Sequence, residues 1–128
     1  ASGMDEEGEM AHDAASAVAG LDRTDSLAAV SPLDGRYAGR TAPLSPYVSE
    51  AALIEARVRV ETAYLLALAD EPAVELTLSA DERETLTAVS EALDGRDAEL
   101  VKRLETEGAA GYAATNHDVK AVEYFLRT

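Results

Sequence analysis

Between Ser49 and the triplet Asp70-Glu71-Pro72 runs a stretch of about 20 residues with neither glycine nor proline inside it. Its apolar side chains return every third or fourth position. Leu53, Ala56, Val60, Ala63 and Ala67 follow the spacing of one helical face, and Ile54, Val58, Leu65 and Leu66 widen it. A serine in front supplies a side-chain acceptor for free N–H groups, and the proline behind forces its neighbour out of helical geometry. A helix over about Glu50–Ala69 follows, with the Leu53–Ala67 stripe turned inward. Its β-branched valines lower intrinsic propensity, so packing against other helices must hold it.

The remaining segments supply those partners. Ser79 with Glu82 three residues later is a capping-box pattern, and Leu86, Val89 and Leu93 form the apolar side of the helix it opens. Asp94-Gly95 reads as its close. Asp97–Glu107 reads as a third helix with Leu100, Val101 and Leu104 inward and Gly108 as its stop. A flexible connection over Gly108–Ala114 leads to a final helix beginning near Thr115 or Asn116, with Val119, Val122 and Leu126 inward. That helix has no terminator before Thr128, which reads as truncation. Upstream, Leu27–Val30 is the best strand candidate, Asp34-Gly35 a turn signal, and Thr41–Pro46 a loop. With five tyrosines, one phenylalanine and no tryptophan, the core must come from Ala, Leu and Val, which suits helix on helix. The fold class is all-α. Residues 1–26, rich in Ala, Gly, Ser and acids, read as a disordered acidic extension with a short helix over Met10–Val18 and a solvated His12. Residues 27–128 read as the helical domain.

Net charge is −14, from 25 acidic and 11 basic residues, of which nine are arginine and two, Lys102 and Lys120, lysine. Such a surface repels nucleic-acid backbone and anionic membrane, so neither is an expected partner. Two accounts of the acidity stand open: plain solubility, or adaptation to a salt-rich cytoplasm where the Debye length falls to about 3 Å at 1 M salt. Lysine scarcity favours the second. The absence of cysteine excludes disulfides and thiolate metal sites. No apolar run approaches the roughly 20 residues that cross a bilayer, and a soluble, cytoplasmic protein is expected.

Two motifs carry possible chemistry. In Ser31-Pro32-Leu33-Asp34-Gly35-Arg36-Tyr37, Gly35 is read as permitting backbone angles closed to other residues, so that the turn projects Arg36 and Tyr37. A guanidinium fork suits phosphate or carboxylate, and tyrosine adds a hydroxyl and a stacking face. Taken alone, Arg36 is a surface cation pairing with a nearby carboxylate. In Thr115-Asn116-His117-Asp118, Thr115 with Asp118 reads as an N-cap and acidic first turn, which alone accounts for three residues. The helix dipole disfavours an imidazolium at His117 while Asp118 favours it, so the ring's protonation is open at this level. Free N–H groups at a helix start also suit an anionic ligand. Lys120, Glu123 and Arg127 continue the face of Asn116 and read as a solvated, ion-paired surface.

These motifs, with the run Thr115-Asn116-His117-Asp118-Val119-Lys120-Ala121-Val122-Glu123-Tyr124-Phe125, resemble the adenylosuccinate lyases, the purine-pathway branch of the fumarase/aspartase superfamily. The likeness covers roughly residues 27–128 and only the N-terminal part of a family chain several times longer. It implies the N-terminal helical domain of such a lyase, without the central long-helix bundle that makes the family's homotetramer. It implies β-elimination of fumarate from adenylosuccinate and from its imidazole-carboxamide counterpart, with no cofactor. On the same likeness Arg36, Tyr37, Asn116, His117 and Asp118 are substrate-binding residues. His117 has at most an auxiliary share in proton handling, the catalytic residues lie outside this segment, and the fragment alone is expected to be inactive. Apolar stripes bared by the missing bundle should drive self-association. Two rivals are another superfamily lyase, such as fumarase or argininosuccinate lyase, and a non-catalytic acidic helical module that binds a partner.

Overall fold

Side-chain caps mark where the four longer helices of this chain begin. The computed structural model describes Val18, residues 20–22 and residues 24–128. His12 and all but the last residue of the expected Met10–Val18 helix lie outside the described residues, as does most of the expected extension over residues 1–26. The chain divides into two units, Ala1–Ser45 and Pro46–Thr128.

In the first unit the Asp25 carboxylate accepts the Leu27 N–H at 2.9 Å and opens a 3₁₀ turn over Ser26–Ala28. That turn stands where the Leu27–Val30 strand was expected. No strand occurs among the described residues, and Val30 is almost fully exposed. Next come helix α1 (Ala38–Thr41) and a second 3₁₀ turn, Ala42–Leu44, which takes Pro43 into its first residues. The expected Thr41–Pro46 loop is therefore a series of tight helical turns, because proline's fixed φ fits a helix start. The division between units falls inside α2 (Ser45–Val48).

The second unit is built on α3 (Glu50–Asp70), where the Ser49 hydroxyl accepts the Ala52 N–H at 3.2 Å. Glu71, held extended before Pro72, ends it. In α4 (Ala80–Glu91) both halves of the Ser79–Glu82 capping box form. Asp94, expected to close that helix, instead opens α5 (Gly95–Thr106): its carboxylate accepts the Arg96 and Asp97 N–H groups, and Asp97 answers to the Asp94 N–H. Gly108, at φ +89°, stops α5 as expected, and a Cβ there would stand 2.7 Å from the Tyr112 carbonyl oxygen. The connection read as flexible is tied down. Ala109 and Tyr112 exchange backbone hydrogen bonds, and the Thr115 and Asn116 N–H groups reach back to the Leu104 and Glu105 carbonyls.

Helix α6 (Asp118–Leu126) completes the unit. α3 packs against α4, α5 and α6, and α5 against α6. The core joins Ile54 and Val58 of α3, Ala98, Val101 and Leu104 of α5, and Ala121, Val122 and Phe125 of α6. Val89 of α4 and Leu93, just past its end, pack on its edge, and the Tyr112 and Tyr124 rings stack with centroids 4.1 Å apart. Two expected faces are corrected. On α3 the inward stripe is Ile54, Val58 and Thr62, whereas Leu53, Ala56, Val60, Ala63 and Ala67 are exposed. On α6 Val119 is exposed, and Ala121 and Phe125 share the core with Val122. No helix among the described residues is long and apolar enough to cross a membrane.

Candidate functional site

The Asp34 carboxylate builds the first motif. Its two oxygens accept the Ser31 N–H at 2.7 Å and the Val30 N–H at 3.2 Å, while the Ser31 hydroxyl accepts the Leu33 N–H. The Ser31 hydrogen bond is the main reason the carboxyl of Asp34 titrates below its ordinary range. Gly35 serves this turn by closeness and not by φ, since its φ is not in the left-handed region. A Cβ there would lie 2.7 Å from the Ser26 carbonyl oxygen and 3.1 Å from the Ala29 Cβ. The turn leaves Arg36 and Tyr37 adjacent and exposed. The Arg36 guanidinium donates to the Tyr37 hydroxyl and sits 4.5 Å from its ring centroid, with the Arg40 guanidinium 5.8 Å away. Among the described residues neither arginine has a carboxylate within ion-pairing distance, so the expected pairing of Arg36 is not seen. Two guanidinium groups on one tyrosine, with no ion pair among the described residues, are donors suited to an anion.

The second motif lies at the mouth of α6. Thr115 was expected to cap that helix, but the cap is His117, whose Nδ1 accepts the Lys120 N–H at 3.2 Å. Thr115 works one step earlier: its hydroxyl accepts the His117 N–H and donates to the His117 carbonyl. Asn116 takes the left-handed conformation, φ +50°, which asparagine tolerates and which turns the chain into the helix. Asp118 Oδ2 pairs with the Arg57 guanidinium of α3 at 2.9 Å, and its Oδ1 accepts the Val119 N–H at 2.8 Å.

Asn116, His117 and Asp118 line one cleft of about 500 Å³, floored by Leu53, Ile54 and Val101 and edged by Glu50, Arg57 and Glu105. Lys102 Nζ bonds Glu50 at 2.6 Å and Glu105 at 3.0 Å, and those bonds, Glu50 first, hold its titration above the ordinary lysine range. The cations at the cleft are thus already matched to carboxylates. Outside those pairs the cleft presents the Asn116 amide and the second ring nitrogen of His117. Lys120 and Arg127 both pair with Glu123 at 2.6 Å, the solvated face expected of them.

Arg36 and Tyr37 therefore lie together in the first unit, and Asn116, His117 and Asp118 together in the second. Arg57, Glu50, Lys102 and Glu105 escaped the reading of the sequence. Each belongs to a helix surface pattern of charges, and the Arg57–Asp118 and Lys102–Glu50 links join residues distant along the chain, so nothing local marks them.

Comparison with known proteins bears on what this arrangement serves. No family model matches the chain. It is 37% identical over 105 residues to the adenylosuccinate lyase of Dictyostelium discoideum. It is 40% identical over 104 residues to the adenylosuccinate lyases of Escherichia coli K12 and Vibrio cholerae. In each case the match covers 80% of this chain and 21% of the relative. The chain thus spans about a fifth of the length of the curated relatives it matches. In sequence the chain is similar to lyases. The particular similarity is to adenylosuccinate lyases, over four-fifths of this chain and about a fifth of each relative.

Proposed function

We propose that this chain is the nucleotide-contacting N-terminal segment of an adenylosuccinate lyase. The complete enzyme would eliminate fumarate from adenylosuccinate and from its imidazole-carboxamide counterpart. The observation that carries this reading is the sequence likeness over four-fifths of the chain, joined to a cleft whose rim is Asn116-His117-Asp118. In it, Arg36 and Tyr37 meet an anionic group of the substrate, and Arg40 adds a second guanidinium to theirs. Asn116 and His117 donate hydrogen bonds, while Asp118 shapes the cleft through Arg57. Polar groups at the cleft, and guanidinium groups at the Arg36 turn with no ion pair among the described residues, support this division of labour.

β-Elimination needs a base for the succinyl carbon proton and an acid for the departing nitrogen. The segment supplies binding, with His117 at most an auxiliary in proton transfer, so the 128-residue chain alone releases no fumarate. A hybrid tests both halves of the proposal: the Escherichia coli relative with its matching 104-residue segment replaced by this one. Fumarate release by the hybrid and none by the chain alone is the expected result. A hybrid that folds and assembles yet stays inactive would overturn it and leave a binding module without chemistry.

Self-association belongs to the same proposal, with a homotetramer for the complete protein in the cytoplasm and no nucleic-acid or membrane partner. Leu53, Val60 and Tyr64, exposed in a row with Ala56 and Ala63 on α3, support it. Light scattering should show concentration-dependent association of the chain, lost in Val60→Glu. A monomer at all concentrations contradicts this part.

A further inference from the structure

We propose that Arg57 is a positioning residue which, by engaging Asp118, holds the His117 ring in the tautomer with its proton on Nε2. One ring nitrogen then caps α6 while the other stands as a donor at the cleft. The inference deepens the proposed function and rests on it for the identity of the ligand, but its geometry does not.

The tautomer follows from the cap. A nitrogen that accepts the Lys120 N–H carries no proton, so in a neutral imidazole the proton sits on Nε2. His117 also has the extended backbone of a capping residue, φ −147° and ψ 117°. Protonating Nδ1 would set two donors against each other and place a positive charge at the positive end of the helix dipole.

One group works directly against that state. Asp118 Oδ1 lies 3.8 Å from His117 Nδ1, close enough to favour a proton there. Arg57, reaching across from α3, binds the same carboxylate at 2.9 Å and answers its charge. The other charges facing the ring come from every neighbouring helix. Glu50 of α3 and Glu105 of α5 are held by Lys102, and Glu123 of α6 is held by Lys120 and Arg127. Glu61 of α3 faces the outer side of His117 and has no ion pair among the described residues. Arg57 is the cation on the carboxylate nearest the ring, so its removal changes the balance most. With Arg57 in place, His117 meets an anionic ligand as an Nε2–H donor, and Nδ1 is not free to act as a base.

Nitrogen-15 spectra of the imidazole rings in the 128-residue chain, in a His12→Gln background that leaves His117 as the sole histidine, test this without substrate. Slightly above neutral pH the expected ring has Nε2 protonated and Nδ1 bare. In Arg57→Gln a ring with its proton on Nδ1 should appear, and the Lys120 amide should exchange about tenfold faster, the loss of a cap of ordinary strength. Arg57→Lys should restore the tautomer. Arg57→Gln combined with Asp118→Asn should restore it too, because the carboxylate that attracts the proton is gone. A merely structural arginine predicts no such rescue. A proton on Nδ1 in the chain with Arg57 intact, or a double variant no better than Arg57→Gln, would overturn the proposal. Because no reading involves substrate, a hybrid lyase that failed would leave this result standing, and the reverse.

Discussion

Thr62 sets a hydroxyl among the apolar side chains of the core, 2% exposed, with no hydrogen-bond partner for its Oγ1 among the described residues. A buried polar atom left unpaired costs about 1–3 kcal/mol of desolvation, and valine has nearly the same shape. Thr62→Val should therefore stabilise the chain by roughly 1 kcal/mol. Denaturant unfolding measures it, and a loss of stability would mean that the hydroxyl is satisfied in solution. His117 makes a different point at the same scale. Its place in Asn116-His117-Asp118 was legible from residue types alone, but its capping role was not. Thr115 is the better cap by preference, and only the left-handed turn at Asn116 moves the helix start two residues on. Gly35 likewise announced a turn, yet the reason for glycine is the neighbouring Ser26 carbonyl, contributed by a 3₁₀ turn that the sequence had suggested as strand.

The caps of α3 and α4 could be read from Ser49 and from Ser79 with Glu82, since those hydrogen bonds span three residues. Asp94 was ambiguous for the same local reason: Asp-Gly both ends and begins helices, and Asp97 decides for a beginning. The buried face of α3 was not legible. Apolar residues surround that helix, so periodicity offers two stripes, and Thr62 makes the true one look the more polar. Capping also sets a pH dependence. The Glu82 carboxyl titrates below its ordinary 4.5, chiefly because it accepts the Ser79 N–H. A depressed value contributes stability above the unfolded-state value, and that contribution is lost as pH falls through the folded one. Lys102 has the opposite sign: raised from 10.5, it contributes below that value and loses its contribution as pH rises through the folded one. Helical circular dichroism should thus hold between these limits and fall in acid. Glu82→Gln, an acceptor at every pH, should flatten part of the acid loss. An acid limb unchanged in that variant would remove the capping box from the explanation.

Charge belongs to the whole chain. At −14, carboxylates repel across the surface, while the ion pairs are mostly exposed and contribute little each. Added salt weakens both effects, and the repulsion is the larger, so thermal stability should rise as KCl goes from about 0.1 M to about 1 M. A flat or falling midpoint would return the acidity to plain solubility. Legibility at this scale was uneven. Helix content and the two motifs followed from residue types and spacing, but the Arg57–Asp118 and Lys102–Glu50 links that shape the cleft arise only once α3, α5 and α6 pack. The Arg36 turn and the His117 helix mouth are proposed to serve one substrate, adenylosuccinate. In the hybrid lyase carrying this segment, kcat/KM for adenylosuccinate is compared before and after Arg36→Ala and His117→Ala are introduced together. A fall of at least about a hundredfold with assembly intact is expected, the scale of losing charge-assisted contacts to a bound anion. An undiminished kcat/KM would contradict it.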